Sequence, residues 1–202
     1  MKDKKKNLPN LKELKKDILF SDNLLGNELN FQTTWGLFSP KSIDDGTKLL
    51  LKNINFHEKE EILDLGCGYG PIGLAISKSF PNSNCLMVDK DFVAIEYAKK
   101  NIKLNKLKNA SALLSNGLQH ISTDQKFSLI LTNLPAKTNK ENYYIFFYDI
   151  LNHLEIDGRM YVVAINGLRK FISKSLLEVF GNYKKIKQSK TYTVSMAIKK
   201  EV

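Results

Sequence analysis

The chain has 202 residues, of which 43% are hydrophobic and 26% charged, so it has the composition of an ordinary globular protein with a core of its own. Its apolar runs are too short to cross a membrane, and its two cysteines are too few for a disulfide framework and show no zinc-site spacing with histidine. Its 31 Lys and Arg against 21 Asp and Glu give a net charge of +10, which favours RNA or DNA as a partner; a Lys-rich composition without such a partner is the alternative.

The first residues form a basic segment. MKDKKKNLPN is rich in Lys, and no apolar segment with a small-residue cleavage site follows it, so we expect a cytoplasmic protein with reduced thiols. We predict a flexible basic tail over residues 1–12 and a single domain over residues 13–202.

Two apolar-rich runs then flank a Gly-Asn pair. DILFSDNLL and ELNFQTT lie on either side of Gly26-Asn27, which is typical of a β-hairpin. WGLFSP interrupts this pattern, and the apolar spacing from Ser42 to about Leu51 predicts a helix.

From residue 61 the chain alternates between strands and helices. The predicted strands are EILDL, CLMVD, ASALLS, KFSLILTN and RMYVVAIN, the last of which follows a turn at Gly158. Between and after them, helices are predicted over Ile72–Phe80, about Asp91–Asn105, Glu141–Leu154 and Leu168–Phe180. NYKKIKQ and TYTVSMAIKK end the chain as two alternating strands. This order predicts an α/β fold, a Rossmann-like doubly wound, mostly parallel seven-stranded sheet with a C-terminal antiparallel edge hairpin, next to the N-terminal β-hairpin.

The loop after the first strand of this sheet is rich in glycine. ILDL is followed by Gly66–Gly70, which reads GCGYG, at the edge of the sheet where open α/β proteins bind ligands. Glycine lacks a Cβ and tolerates positive φ, so a ligand can contact the backbone, and the helix start that follows favours an anionic group. A phosphate-binding P-loop is excluded, because Pro71-Ile72 stands where Lys and Ser or Thr would be needed.

Two acidic residues narrow the choice of ligand. Asp64 precedes the first glycine by two residues, so the pattern is D-x-G-x-G-x-G rather than the G-x-G-x-x-G of nucleotide-binding dehydrogenases. The next strand ends in Asp89, where a carboxylate accepts hydrogen bonds from both ribose hydroxyls of an adenosine. Helix capping or a solvated loop charge is the alternative for both residues.

These motifs resemble a known family. ILDLGCGYGPIGLAIS, then MVDKD, then a helix ending KKNIKLNKL, look like a class I S-adenosylmethionine-dependent methyltransferase. GCGYGPIG and the upstream TTWGLFSPKSIDDGTKLLL resemble in particular the small-domain methyltransferases that modify guanine N2 in ribosomal RNA, whose upstream segment reads T-x-x-G-x-F-S…D-x-G-T. The similarity runs from about residue 25 to the end of the chain.

The resemblance implies that S-adenosylmethionine is the cofactor. The binding residues that it implies are Asp64, Gly66, Gly68 and Gly70 for the methionine part, Asp89 for the ribose and Asn116 for the adenine amino group. The family usually has Asp in place of Asn116, but an amide oxygen also accepts this hydrogen bond.

The resemblance also places a catalytic loop after KFSLILTN. In the family this loop is Asn-Pro-Pro-aromatic: the Asn oxygen and a neighbouring backbone carbonyl accept hydrogen bonds from the target amine, and the ring stacks on the base. This chain reads Asn133-Leu134-Pro135-Ala136, so Asn133 and Pro135 are the implied catalytic residues, whereas Leu134 and Ala136 depart from the pattern. An ordinary turn residue is the alternative for Asn133.

Because Ala136 stands where the family has an aromatic residue, another side chain would have to stack on the target base. Trp35 and Phe38 are candidates, although we favour ordinary core packing for both.

The function that the resemblance implies is methyl transfer to the exocyclic N2 amine of a guanine in small-subunit ribosomal RNA, by a monomer that needs no metal. The basic tail and the lysines Lys184, Lys185, Lys187 and Lys190 would bind phosphates of structured RNA. Two alternatives stay open: an adenine N6 or a glutamine amide as the acceptor, and a degenerate copy that binds RNA or cofactor without transferring methyl groups.

Overall fold

The computed structural model describes residues 10, 14, 16–134 and 140–201, and only the backbone of residues 140–142. The predicted tail over residues 1–12 lies outside this part except for Asn10, and so do Pro135 and Ala136 of the predicted catalytic loop. Along the described ranges, no helix is both long enough and apolar enough to cross a membrane.

A hairpin of two strands and a seven-stranded sheet confirm the predicted fold. The hairpin consists of β1 (Ile18–Leu24) and β2 (Asn27–Thr33). The sheet consists of β3 (Glu61–Leu65), β4 (Asn84–Asp89), β5 (Ala110–Leu114), β6 (Phe127–Asn133), β7 (Leu154–Ile165), β8 (Lys184–Gln188) and β9 (Tyr192–Ile198). The strands lie side by side in the order β5-β4-β3-β6-β7-β9-β8. Strands β3 to β7 run parallel, and β9 is antiparallel to both β7 and β8.

Helices cover both faces of the sheet. They are α1 (Asp45–Leu51), α2 (Pro71–Ser79), α3 (Phe92–Leu104), α4 (Lys140–His153) and α5 (Arg169–Phe180). One apolar layer joins the hairpin to α2 and α3 and includes Phe31 and Leu74, and the other joins α4 to α5 and includes Phe147 and Leu176. Neighbouring residues of β6 point into opposite layers, which is why this strand is apolar along nearly its whole length.

The turn of the N-terminal hairpin lies one residue earlier than predicted. Leu24 pairs with Asn27, so the two turn residues are Leu25 and Gly26 rather than Gly26 and Asn27. Both have positive φ, 52° and 80°, which suits the right-handed twist of the strands. Asn27 instead uses its side chain to donate hydrogen bonds to the carbonyl oxygen of Leu25 and to Oγ of Ser79, at 3.2 and 3.0 Å.

Two other boundaries also differ from the sequence-based expectation. The turn predicted before RMYVVAIN lies inside β7, because Leu154 already pairs with Phe127 and the ladder resumes at Arg159 after an irregular stretch. Helix α1 begins at Asp45 and not at Ser42, because Asp44 is extended and caps the helix.

Asn101 in α3 ties three parts of the fold together. Its side chain is fully buried, and its Oδ1 accepts a hydrogen bond from the backbone nitrogen of Gln32 at 2.7 Å. Its Nδ2 donates to the carbonyl oxygens of Gln32 and Tyr69, each at 3.0 Å. Because Gln32 lies in β2 and Tyr69 in the glycine-rich loop, this amide fixes the hairpin and the loop to the same helix.

We expect Asn101→Ala to lower the free energy of unfolding by about 2–3 kcal/mol, because it leaves buried backbone groups of β2 and of the glycine-rich loop without partners. Urea denaturation followed by circular dichroism measures this loss. Asn152→Ala, at an exposed position of α4, is the matched control and should change stability by less than about 0.5 kcal/mol. Equal stability of the two variants would contradict the role given to Asn101.

Candidate active site

The predicted site residues meet at one edge of the sheet. β3 lies between β4 and β6, so the strand order reverses at β3 and leaves a crevice at its carboxyl end. Asp64, Asp89 and Asn133 stand at or beside the carboxyl ends of these three strands. In the part of the chain that is described, no group of three or more His, Cys, Asp and Glu side chains is arranged to hold a metal ion.

The glycine-rich loop, residues 66–70, is bound tightly on one side and open on the other. The backbone nitrogens of Gly66 and Cys67 both donate to the carbonyl oxygen of Val88, at 2.8 and 2.9 Å. Gly66 and Gly68 have φ values of +76° and +57°, which side chains rarely allow. A Cβ built on either glycine meets no atom within 4 Å, so the outer side of the loop faces open space. A ligand can therefore lie directly against this backbone.

Asp89 supports the loop through hydrogen bonds to the backbone. Its Oδ2 accepts from the nitrogen of Gly68 at 2.9 Å, and its Oδ1 accepts from the nitrogen of Asp91 at 3.0 Å. The residue that caps α3 is Asp91, so the capping interpretation of Asp89 is wrong. A carboxylate has about four acceptor positions, so the half-buried Asp89 retains acceptor capacity beyond these two bonds.

Asp64 is fully buried beneath the loop. Its Oδ2 accepts a hydrogen bond from the nitrogen of Gly73, in the first turn of α2, at 2.9 Å. Its Oδ1 is buried without a hydrogen-bond partner among the described residues. Burial raises the pKa of the Asp64 carboxyl to about 7, and the nearby negative charge of Asp89 adds to this effect, whereas the hydrogen bond from Gly73 opposes it. A solvated loop charge is thus the wrong interpretation of this residue.

Asn116 lies on the same edge of the sheet, but its side-chain hydrogen bond is longer than those of Asp64 and Asp89. It follows β5, is exposed, and its Nδ2 lies 3.4 Å from Oε1 of Gln119. The adjacent Ser115 donates its backbone nitrogen to the carbonyl oxygen of Asp89 at 2.9 Å, which holds the ends of β4 and β5 together. The structure therefore brings Asn116 near Asp89, and its role toward an adenine stays a prediction.

The side chain of Asn133 is held by two residues that precede the sheet. Its Nδ2 donates to Oδ2 of Asp44 at 3.0 Å and to Oγ1 of Thr47 at 3.1 Å. The hydroxyl of Tyr192, at the start of β9, donates to Oδ1 of Asp44 at 2.9 Å.

Sequence reasoning did not assign Asp44, Thr47 or Tyr192 to the site. The D-x-G-T segment that carries the resemblance contains Asp44 and Thr47, but nothing in its sequence indicates a contact with Asn133, which lies 86 residues after Thr47. Tyr192 offered no signal, because an aromatic residue at the start of a strand is ordinary.

Leu134 is fixed in place although it stands where the resembled motif has proline. Its backbone nitrogen donates to the carbonyl oxygen of Val163 at 2.9 Å, a bond that proline could not make. Its side chain is buried in the apolar layer of α4 and α5. The chain is therefore constrained by packing directly after Asn133.

Core packing is the wrong interpretation of Trp35 and Phe38. The two rings are 66% and 68% exposed, in the loop between β2 and α1. This loop contacts the glycine-rich loop through Tyr69, whose hydroxyl donates to the carbonyl oxygen of Ser39 at 3.0 Å. Both aromatic side chains therefore stand on a segment that adjoins the candidate site.

The raised pKa of Asp64 predicts a pH-dependent effect of Asp64→Asn. The folded-state pKa of about 7 exceeds the ordinary value of 3.8, so the stability that the neutral carboxyl contributes is present below pH 4 and is lost as pH rises toward 7. The variant lacks this titration, so its free energy of unfolding should rise relative to that of the parent by about 3 kcal/mol between pH 4 and pH 7. Urea denaturation across this range measures the difference, and a constant difference would contradict the prediction.

The chain matches a family model and a protein of similar length. The model described as methyltransferase small domain matches residues 28–196. The uncharacterized protein YbxB of Bacillus subtilis (strain 168) is 31% identical over 183 residues, which is 89% of this chain and 90% of that protein.

Two longer relatives are enzymes that act on ribosomal RNA. Ribosomal RNA small subunit methyltransferase C of Haemophilus influenzae (strain PittGG) is 32% identical over 166 residues, 79% of this chain and 48% of that enzyme. The structure of T. thermophilus 16S rRNA N2 G1207 methyltransferase (RsmC) in complex with AdoMet and guanosine superposes with a TM-score of 0.83 at 26% identity, and the match covers 91% of this chain and 51% of that one. The chain spans about half the length of both enzymes.

The fold is also similar to that of a methylase with lower sequence identity. Ribosomal protein L11 methylase from Lactobacillus delbrueckii subsp. bulgaricus has a TM-score of 0.68 at 21% identity, covering 83% of this chain and 84% of that one.

The predicted family and the predicted cofactor are confirmed by the family match and by the AdoMet-bound structure. The chain therefore belongs to the methyltransferase small domain family, within the class I methyltransferases that use S-adenosylmethionine.

Proposed function

We propose that this protein transfers a methyl group from S-adenosylmethionine to the exocyclic N2 amine of a guanine in small-subunit ribosomal RNA. The observation that carries the proposal is the amide of Asn133 beside the glycine-rich loop, with its nitrogen bound inside the protein and its oxygen directed away from those partners. Two relatives whose names specify small-subunit ribosomal RNA, one of them bound to guanosine, support the choice of acceptor. The net charge of +10 suits an RNA partner.

The residues around the glycine-rich loop fit the cofactor, which supplies an activated methyl group when it is bound. The unpartnered Oδ1 of Asp64 suits the cationic amino-acid part of the cofactor, and the open outer side of Gly66 and Gly68 leaves room for it. We assign the methionine part to Asp64, Gly66, Gly68 and Gly70, the ribose to Asp89 and the adenine to Asn116.

Asn133 stabilises the reacting amine by accepting a hydrogen bond. The lone pair of an exocyclic guanine amine is delocalised into the ring, so this amine is a weak nucleophile. A fixed acceptor aimed at its N–H bond stabilises the positive charge that develops on the nitrogen during attack. Oδ1 of Asn133 is this acceptor, and because its nitrogen side is already bound, it needs no reorganisation. We assign a second acceptor, a backbone carbonyl, to the loop at Pro135.

The edge hairpin of β8 and β9 offers a basic surface that leads to the site. Lys187 and Lys190 are exposed near the turn of this hairpin, and Tyr192, which follows the turn, contacts Asp44. Lys184 lies at the opposite end of β8, about 10 Å from Lys187 along the strand. Phosphates of an RNA that reaches the active site therefore pass close to Lys187 and Lys190.

The exposed rings of Trp35 and Phe38 supply the surface on which an unpaired base stacks. An acceptor inside an RNA helix must leave the base stack before its amine can reach the cofactor. Aromatic stacking contributes about 1–3 kcal/mol per base, and it substitutes here for the ring that the sequence lacks at Ala136.

We expect Asn133→Ala to lower kcat for methyl transfer by about 100-fold or more, because an acceptor for the developing charge is lost. Transfer of tritiated methyl groups to small ribosomal subunits and to deproteinised 16S RNA measures kcat, and isothermal titration measures cofactor binding, which should stay within about twofold of the parent. Asn152→Ala, on the exposed face of α4, is the control.

Each outcome of this experiment has a defined meaning. N2-methylguanosine in the digested RNA supports the proposal. N6-methyladenosine in the RNA would instead identify adenine as the acceptor, and label found only in added protein would identify a protein acceptor; either result would refute guanine as the acceptor. Undiminished transfer by Asn133→Ala would refute the role of Asn133. Cofactor binding without transfer to any acceptor would identify the chain as a degenerate copy.

We expect Lys187→Glu/Lys190→Glu to raise KM for RNA about tenfold or more, with cofactor binding unchanged, because two phosphate contacts near the site are lost. The same double change at Lys184 and Lys185 alters the charge equally and lies farther from the site, so its effect should be several-fold smaller. KM measured at rising salt should show a shallower salt dependence for the Lys187/Lys190 variant. An equal rise in KM for the two double variants would show only a general effect of net charge and would contradict specific phosphate contacts at Lys187 and Lys190.

A further inference from the structure

Asp44 connects three segments of the chain at the candidate site. Its Oδ2 accepts from Nδ2 of Asn133 at 3.0 Å and from the backbone nitrogen of Thr47 at 3.2 Å. Its Oδ1 accepts from the hydroxyl of Tyr192 at 2.9 Å. The three partners belong to the end of β6, to α1 and to the start of β9.

The chemistry of these contacts fixes the orientation of the Asn133 amide. An ionised carboxylate only accepts hydrogen bonds, so the group of Asn133 that faces Asp44 has to be the NH₂ group. The second hydrogen of that group is bound by Oγ1 of the buried Thr47. A half-turn of the amide would place its oxygen against the carboxylate of Asp44 and lose that bond. The hydroxyl of Thr47 can donate as well as accept, so Asp44 is the partner that keeps Oδ1 on the opposite side.

Asp44 itself has little freedom to move. It caps α1, and the hydroxyl of Tyr192 holds its other oxygen. Gly46 makes room for this arrangement, because a Cβ there would lie 2.8 Å from Oδ2 of Asp44 and 2.9 Å from the ring of Tyr192. Burial, together with the hydrogen bond to Asp44, raises the pKa of Tyr192 to about 12, so its hydroxyl remains a donor at neutral pH.

We propose that Asp44 is a positioning residue that, with Thr47 and Tyr192, holds the Asn133 amide so that its oxygen faces the amine to be methylated. The inference rests on the proposed function and adds to it a residue that acts through Asn133 rather than on the substrate. It also gives a reason for an amide at residue 133, since a carboxylate there would face Asp44 across a hydrogen-bond distance.

The first test compares two neighbouring acidic residues. Asp44→Ser keeps a side-chain oxygen that caps α1 but is too short to reach both Asn133 and Tyr192. We expect it to lower kcat about tenfold or more, while KM for RNA and the Kd for the cofactor stay within about twofold. Asp45→Ser removes the same charge one position away, at an exposed site, and should behave like the parent. Equal kcat values for the two variants would overturn the proposal.

The second test exchanges the two partners. Asn133→Asp places two carboxylates together and should lower kcat about 100-fold at pH 8. Adding Asp44→Asn to that variant restores a pair of one amide and one carboxylate, and should raise kcat at least about tenfold above that of Asn133→Asp alone. A double variant no more active than Asn133→Asp would show that residue 44 does not set the orientation at residue 133.

A third test needs no methyl transfer. The side-chain NH₂ signals of Asn133, identified by their loss in Asn133→Ala, should exchange with solvent more slowly than those of the exposed Asn152. Asp44→Ser should remove this protection, and Asp45→Ser should not. Protection that survives Asp44→Ser overturns the inference. Protection that depends on Asp44 in a protein that methylates no acceptor would support the positioning of the Asn133 amide by Asp44 and refute the proposed function.

Discussion

The place of β3 between β4 and β6 is the constraint on which the rest of the site depends. Because the three strands are parallel, their carboxyl ends lie on one edge, and because the strand order reverses at β3, the loops that follow them diverge. The glycine-rich loop occupies the resulting crevice, with Asp89 on one side and Asn133 on the other. The proposed cofactor and acceptor sites thus share an edge through backbone geometry alone.

Asp64 and Asn133 are held in opposite ways, and the contrast suits their proposed roles. Asp64 is buried with one oxygen unpartnered among the described residues, so a cationic ligand gains from meeting it. Asn133 has its nitrogen bound twice by Asp44 and Thr47, so its oxygen is aligned before any substrate arrives. In these proposed roles, Asp64 offers an unsatisfied oxygen to the cofactor, and Asn133 offers a single fixed oxygen to the acceptor.

The sequence was a good guide wherever local pattern decides the outcome. Strand periodicity and the spacing of glycines placed the loop at Gly66–Gly70 and Asn133 at the sheet edge, since both depend on neighbouring residues. The contact of Tyr192 with Asp44 joins positions 148 residues apart, and nothing local distinguishes this tyrosine from one that only packs. The turn at Leu25-Gly26 was predicted one residue too late for a similar reason: the side chain of Asn27 donates a hydrogen bond to Ser79 in a distant helix, a contact that the local sequence does not reveal.

The buried amide of Asn101 makes the N-terminal hairpin part of the support of the glycine-rich loop. This one side chain binds both β2 of the N-terminal hairpin and the carbonyl oxygen of Tyr69. Its Nδ2 is bound by the hairpin on one side and by the loop on the other, so the hairpin fixes the rotation of the group that holds the loop. A substitution that loosens β2 would therefore also weaken the hold on the carbonyl oxygen of Tyr69.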